Sequence, residues 1–238
     1  MIFSDVLLIA AQTNRSKAYV QALNHAGVKL GSVLLYGRGQ SGMLGQGGDK
    51  SGQPVGEEIF SPDFSIDLEI SALKLGARIV STEASNINDR EIFEATKTLN
   101  PSLVIFSGYG SQILQEEILG LSAQFLHIHA GYLPTYRGST TIYYSWIERM
   151  ECGASAILLS KEIDKGPIVA RKNYSPPPEG VDPDYMYDSA IRADLLVEVL
   201  GGYLGNGEFK KKHEQDTRDQ DIYYIIHPLL KHLVRIYG

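Results

Sequence analysis

The chain has 238 residues, of which 43% are hydrophobic and 21% charged, enough to bury one full core and leave a smaller appendage. Its formal net charge of -6 gives no general basic field, so tight binding to nucleic acid is disfavoured. A single cysteine, Cys152, excludes an internal disulfide and fits a reducing compartment. The sequence shows no secretory signal and no apolar run of about 20 residues, so we expect a cytoplasmic protein that does not enter the membrane.

The first half of the chain alternates short apolar runs with helical patterns. Val6 opens the first run, and Thr13 and Asn14 follow it as candidates to cap a helix that Gly27 ends. Further along, Pro101 breaks a helical stretch directly before another apolar run. Buried strands are predicted at residues 6–10, 33–36, 78–80, 103–106, 125–129, 155–159 and 168–174. This alternation predicts a Rossmann-like α/β domain with a parallel sheet that has a mixed edge.

Residues 37–56 are rich in Gly, Ser and Gln and lack an apolar period, which predicts a long loop. Within it, Gly37, Gly39 and Gly42 match the spacing of a dinucleotide-binding motif. They follow the second strand rather than the first, however, and no helical pattern comes after them. The first strand-to-helix turn contains no glycine, so a nucleotide-dependent oxidoreductase is not favoured.

Three consecutive prolines, at residues 176–178, stop regular structure and mark a predicted boundary. We therefore expect a catalytic domain at residues 1–174 and a small helical C-terminal extension at residues 175–238. Helical patterns at residues 185–200 and 221–236 lie in this extension.

Two histidines, His127 and His129, lie two residues apart on a predicted strand, so both side chains leave the same face. The loop at residues 130–138 follows at the carboxyl end of that strand, where open parallel sheets place their ligands. The simplest interpretation is a pair of structural histidines at the end of a strand. A metal pair is another, but the sequence supplies no third ligand at a suitable spacing, so no metal is predicted.

Asp164 occupies a tight turn, Asp-Lys-Gly-Pro, between two predicted strands. Taken alone, this pattern is typical of a structural turn, in which Asp and Gly provide local hydrogen bonds and unusual dihedral angles. Its meaning depends on the histidine segment.

Three segments together resemble the folate-dependent formyltransferase family. They are residues 101–114 (PSLVIFSGYGSQIL), 126–138 (LHIHAGYLPTYRG) and 163–169 (IDKGPIV), and they follow the order and spacing of the family. The resemblance implies a formyltransferase fold and 10-formyltetrahydrofolate as the formyl donor.

By the same resemblance, His129 and Asp164 are the family's catalytic histidine and aspartate. His127 stands where the family has an asparagine, and we predict it as a third catalytic residue. The residues predicted to border the pterin are Gln112, Ile113, Leu114, Leu159, Ser160, Lys161, Glu162 and Ile163. Formyl transfer to an amine needs a donor for the developing oxyanion and a base for the ammonium proton. His129 supplies a donor and Asp164 favours its charged form, while His127 can donate one N–H but can also titrate.

The acceptor is predicted from the remainder of the chain. An acidic, helical tail differs from the basic barrel of methionyl-tRNA enzymes, whereas the loop at residues 131–141 resembles the branch that formylates 4-amino sugars in the pseudaminic acid pathway. We therefore expect a UDP- or dTDP-linked amino sugar, with Arg137 and Tyr136 as substrate-binding residues and no nucleic-acid partner. There are two alternatives. The acceptor is another small amine, or the chain is a folate- or sugar-binding protein whose catalysis is impaired by the change to His127. The sequence leaves the oligomeric state open, and a homodimer is compatible with it.

Overall fold

The computed structural model describes residues 1–37, 54–56, 58–216 and 221–237, so most of the predicted loop at residues 37–56 lies outside the described residues. The strands are β1 (Ile2–Ala11), β2 (Lys29–Tyr36), β3 (Arg78–Ser81), β4 (Leu103–Ser107), β5 (Gln124–His129), β6 (Arg137–Gly138), β7 (Cys152–Leu158), β8 (Ile168–Tyr174), β9 (Tyr203–Gly205), β10 (Glu208–Phe209) and β11 (Ile222–Tyr223). The helices are α1 (Asn14–His25), α2 (Leu68–Lys74), α3 (Arg90–Leu99), α4 (Glu116–Leu119), α5 (Thr141–Arg149), α6 (Asp188–Leu200) and α7 (Pro228–Tyr237). A π-helical turn at Pro183–Tyr187 leads into α6.

Seven strands form the central sheet in the order β3-β2-β1-β4-β5-β7-β8. The pairs from β3 to β5 are parallel, and β7 and β8 add antiparallel strands at one edge. The predicted α/β fold, with a parallel sheet and a mixed edge, is therefore confirmed. Within the described ranges, none of the helices is long and apolar enough to cross a membrane.

Strand β1 shows why its sequence is a continuous apolar run. Successive side chains of a strand point to opposite faces of the sheet, and both faces are covered here. Leu8 and Ala10 lie in one buried cluster, whereas Leu7 and Ile9 lie in a second cluster together with Ile92 of α3. Burial on both faces explains the loss of the polar alternation that marks a half-exposed strand.

The residues after the triple proline first complete the main core. Helix α6 packs against α1, and its Ala190, Leu195 and Leu196 belong to the same buried cluster as the inner residues of β1. The helix predicted at residues 221–236 is wrong in its first turns, because β11 pairs with β6 and α7 begins only at Pro228. The extension is therefore a core helix followed by short strands and a terminal helix.

Candidate active site

His127 and His129 both line one cavity, of about 600 Å³, at the carboxyl edge of the parallel strands. Their spacing on β5 sends both rings to the same face of the sheet. His129 is only 5% exposed. Its Nε2 lies 2.8 Å from the carbonyl oxygen of Tyr136, an atom that can only accept a hydrogen bond. The strand and the loop that follows it therefore fix the orientation of this ring.

Asp164 stands beside His129, in the turn between β7 and β8. Its φ of 55° lies in the left-handed region, which Asp tolerates better than most residues. The turn also needs glycine at Gly166, where a Cβ would overlap the carbonyl oxygen of Leu158. One carboxylate oxygen, Oδ2, lies 3.6 Å from His129 Nδ1 and accepts a hydrogen bond of 3.3 Å from the backbone N–H of Gly138.

The surroundings of His129 prepare its two ring nitrogens for different tasks. Burial lowers the pKa of His129, while the Asp164 carboxylate and the Tyr136 carbonyl act in the opposite direction. The neutral ring keeps its proton on Nε2, which donates to Tyr136, and leaves a lone pair on Nδ1. A second proton at Nδ1 is stabilised by Asp164. His129 can therefore donate from Nδ1 only in its charged form.

His127 has the opposite electrostatic surroundings. Burial lowers the pKa of His127 well below its usual value, and the positive charges of Arg15 and Arg192 lower it further. Its Nδ1 lies 3.4 Å from the carbonyl oxygen of Phe106, so Nδ1 carries the proton and Nε2 the lone pair. His127 is thus a neutral acceptor, and the titrating donor expected from the sequence does not fit its surroundings.

The residues predicted to border a pterin form the outer part of the large cavity. Its lining includes Gln112, Ile113, Leu114, Leu159, Ser160, Lys161, Glu162 and Ile163. The side chains of Lys161 and Glu162 are 74% and 67% exposed, which leaves the backbone of that loop to face a ring in the cavity. A volume of this size and a mixture of apolar side chains and backbone groups suit a flat heterocycle with a polar edge. The residues present therefore fit a folate.

Two arginines that the sequence analysis did not identify line the inner part of the cavity. Arg15, in the first turn of α1, donates hydrogen bonds to Ser107 Oγ at 3.4 Å and to the carbonyl oxygen of Gly108. Arg192 pairs with Asp188 at 3.0 Å. In the part of the chain that the structure describes, no carboxylate lies within 4.0 Å of Arg15, so no ion pair there neutralises its charge.

A smaller cavity of about 190 Å³ adjoins the first. It shares His129 and Arg192 with the larger cavity, and Asp184 and Asp188 add carboxylates to its wall. His129 thus lies where the two cavities meet. Among the described residues, no group of three or more His, Cys, Asp or Glu is placed to hold a metal ion.

Tyr136 and Arg137, expected at the substrate, are buried beside the site instead. The Tyr136 hydroxyl donates to Glu148 at 2.9 Å, and the ring packs against Tyr223 with centroids 5.5 Å apart. Arg137 is 5% exposed and lies in β6, covered by β11. Neither residue belongs to the described walls of the two cavities. Tyr136 reaches the site only through the carbonyl oxygen that holds His129.

Residues 6–188 match the family described as formyl transferase. The matched range contains both histidines and Asp164, and it ends at the first residue of α6. It covers well over half of the chain and confirms the family that the three segments predicted. Members of this family take their formyl group from 10-formyltetrahydrofolate.

Curated relatives include two methionyl-tRNA formyltransferases. One, from Finegoldia magna, is 30% identical over 164 residues, which are 66% of this chain and 50% of that protein. The other, from Moorella thermoacetica, is 30% identical over 135 residues, 55% of this chain and 43% of that protein. The chain therefore spans about half the length of the curated relatives it matches.

Solved structures with the same fold come from several formyltransferases. A methionyl-tRNA formyltransferase from Clostridium thermocellum has a TM-score of 0.57 at 16% identity and covers 97% of this chain and 81% of its own. A sugar N-formyltransferase from a Shewanella species has a TM-score of 0.55 at 16% identity and covers 97% of this chain and 86% of its own. A phosphoribosylglycinamide formyltransferase from Streptococcus pneumoniae has a TM-score of 0.54 at 17% identity and covers 83% of this chain and 97% of its own. At these identities the similarity shows the fold alone.

Proposed function

We propose that this chain, which belongs to the formyl transferase family, transfers a formyl group from 10-formyltetrahydrofolate to the amine of a nucleotide-linked amino sugar. One observation carries the proposal. His127, His129 and Asp164 meet in a cavity whose outer wall consists of the residues predicted for the pterin.

When bound, 10-formyltetrahydrofolate would supply the formyl carbon that the acceptor amine attacks, and its formyl-bearing nitrogen would leave with the proton that the amine gives up. His129 acts as the acid in this reaction. It holds a proton on Nδ1 for the oxygen that becomes negative, and Asp164, 3.6 Å from that nitrogen, stabilises the charged ring. The backbone N–H of Gly138 keeps the carboxylate in place. Because Nε2 is hydrogen-bonded to the carbonyl oxygen of Tyr136, a rotation of the ring away from Asp164 would break that hydrogen bond.

His127 acts as the base. Its surroundings keep the ring neutral, so the lone pair on Nε2 is available to take the proton that the amine loses, and the low pKa of the ring favours passing that proton on to the leaving nitrogen of the folate. Two histidines with different surroundings thus divide the acid and base roles between them, as paired catalytic groups commonly do. The asparagine that the family has at this position could donate a hydrogen bond but could not accept the proton in this way.

The proposed acceptor carries phosphate as well as an amine. Arg15 is placed to bind an anion. It lines the cavity, and within the described residues no carboxylate forms an ion pair with it. In this role it replaces Arg137, which the sequence suggested as a substrate-binding residue. The carboxylates of Asp184 and Asp188 in the smaller cavity suit the hydroxyl groups of a sugar. UDP- and dTDP-linked 4-amino sugars, as in the pseudaminic acid branch, combine these features.

Methionyl-tRNA is the second candidate acceptor, because the curated relatives are named methionyl-tRNA formyltransferases. An acidic chain with a formal charge of -6 is poorly suited to a polyanion, which favours the sugar.

Two measurements test the proposal. Titration with a stable folate analogue should give saturable binding, and its absence from folded protein at millimolar analogue would remove the folate-dependent reaction. A mass-spectrometric assay should then offer 10-formyltetrahydrofolate with UDP- and dTDP-linked 4-amino sugars, glycinamide ribonucleotide or methionyl-tRNA. We expect a mass gain of one formyl group on an amino sugar. Preference for methionyl-tRNA or glycinamide ribonucleotide would overturn the acceptor and leave the reaction type in place.

A further inference from the structure

The C-terminal arm, defined as residues 213–216 and 221–226, returns to the loops that hold the catalytic groups, although the family match ends at residue 188. His213 and Ile168 exchange two backbone hydrogen bonds of 2.8 Å, which fasten the arm to the start of β8. Farther along, β11 pairs with β6 on the other side of the site. The arm therefore touches both segments that meet at the Asp164 carboxylate.

Gln215 is the arm's contact with the turn that carries Asp164. Its side-chain Nε2 donates to the carbonyl oxygen of Asp164 at 3.0 Å and to that of Gly166 at 2.6 Å. A primary amide has two N–H donors, and both are directed to this turn. The turn contains a left-handed aspartate and a glycine with no room for a side chain, so its shape is unusual and needs support from outside.

The second contact of the arm lies at Gly138, whose N–H binds the Asp164 carboxylate. Gly138 has a φ of 108°, and a Cβ there would overlap the carbonyl oxygen of Tyr223. The same carbonyl accepts a hydrogen bond of 2.8 Å from the N–H of Ser139. The backbone of Tyr223 thus lies directly on the residue that donates to Asp164.

We propose that the C-terminal arm positions Asp164 against His129, and that Gln215 is the positioning residue through which it acts. The arm holds the backbone of Asp164 through Gln215 and the backbone of its hydrogen-bond donor, Gly138, through Tyr223. Any effect on rate rests on the proposed function, but the effect on the position of the carboxylate does not.

The first test is independent of activity and follows the His129 ring by NMR as a function of pH. The groups that face this ring are Asp164, the Tyr136 carbonyl, Arg192, Asp188 and the neighbouring His127. Because the Asp164 carboxylate raises the pKa of His129, Asp164→Asn should lower it. Gln215→Met keeps the length of the side chain but removes both donors, and it should shift the titration in the same direction.

Gln215→Leu also removes both donors and adds no charge, so it provides the same comparison if Gln215→Met does not fold. Lys211→Ala, at an exposed residue four positions earlier, is the control and should titrate as the wild type does. A wild-type His129 titration in folded Gln215 variants would overturn the proposal even if no formyl acceptor had been found.

The second test is a double-mutant cycle on turnover. We expect Gln215→Met alone to lower kcat between about tenfold and a hundredfold, as misplacement of a catalytic group does, with little change in KM for the folate. In the Asp164→Asn background the same change should have no further effect, because Gln215 acts through that carboxylate. Losses that multiply instead would assign Gln215 a separate structural role and contradict the proposal.

Discussion

His127 and His129 leave the same face of one strand, yet their halves of the cavity differ in charge. The His129 half contains Asp164, whose Oδ2 lies 3.6 Å from the ring. The His127 half contains Arg15, whose positive charge, together with that of Arg192, which acts on both rings, adds to the effect of burial on His127. Both pKa values are lowered, but only His129 has a carboxylate to oppose the change.

The difference teaches that the residue type does not decide the role of a histidine in the proposed mechanism. The carboxylate half allows a charged ring, which can donate a proton, while the arginine half keeps a neutral ring, which can only accept one at its free nitrogen. Substitutions of these charged groups should therefore change the roles of the two histidines, and each half can be tested separately.

Removing the carboxylate should have the largest effect. We expect Asp164→Asn to lower kcat by at least about a hundredfold, because His129 loses the group that stabilises its proton. Since activity needs the charged ring, kcat should fall as the pH rises through the pKa of His129, and the variant should show this fall at lower pH. A pH–rate profile measures both effects. Asp67→Asn is a matched control, because Asn can still cap α2 there.

Removing the positive charge of Arg15 should weaken binding of the acceptor and leave the chemical step nearly unchanged. We expect Arg15→Ala to raise KM for a diphosphate-bearing acceptor about thirtyfold, the loss of one charge-assisted contact, with kcat nearly unchanged. Steady-state kinetics with a phosphate-free amino sugar provides the comparison, since its KM should not respond. Arg78→Ala, an exposed arginine on β3, is the control. Equal losses for both acceptors would assign Arg15 to the fold instead of the phosphate.

Replacing the neutral base with the residue that the family has at this position should have a smaller effect. We expect His127→Asn to lower kcat about tenfold, because the amide cannot take up the amine's proton but preserves a polar group. The pKa of His127 is well below its usual value, so the ring is neutral near pH 7 and the shape of the pH–rate profile there should not change. A profile that flattens in this variant would show that His127 titrates after all.

The smallest effect is expected at the rim of the cavity. The side chain of Lys161 is 74% exposed and pairs with Glu116 at 2.9 Å, and such surface pairs contribute little. If the backbone of this loop binds the pterin, Lys161→Ala should change KM for the folate less than about twofold. Glu116→Ala, which breaks the same pair from the other side, should give the same result. A large change in the Lys161 variant alone would mean that the side chain binds the folate.

The sequence predicted most of the sheet because its strands are buried on both faces. Runs such as Val6–Ala10 contain only apolar residues, and their order with the intervening helices restricts the topology to a few arrangements. The start of the last helix could not be predicted in this way. The apolar pattern at residues 221–236 continues across Pro228, which suits the first turn of a helix but not its interior, and α7 begins there, while β11 ahead of it pairs with a distant β6.

The part of the candidate site that lies in sequence motifs could be predicted, whereas the part that the fold assembles from distant segments could not. His129 and Asp164 could be named from local segments, but Arg15 and Arg192 come from helices that are far apart in the sequence and pack together only in the fold. Two weak signals were available. Arg15 follows directly after a first strand end, where ligands gather in such sheets, and Arg192 stands four residues after Asp188 on a helix. Gln215 had none, because its partners are backbone carbonyls.

The packing of α6 limits how this chain can be recombined with its relatives. An exchange of segments at the triple proline, or at residue 188 where the family match ends, would bring in a foreign helix under the native β5. Arg192, which donates to the carbonyl oxygen of Ile128 at 3.0 Å, would be replaced in the same step. A hybrid enzyme built to change the acceptor should therefore keep α6 with its own β5, keep the C-terminal arm with its Asp164 turn, and place the junction after residue 226.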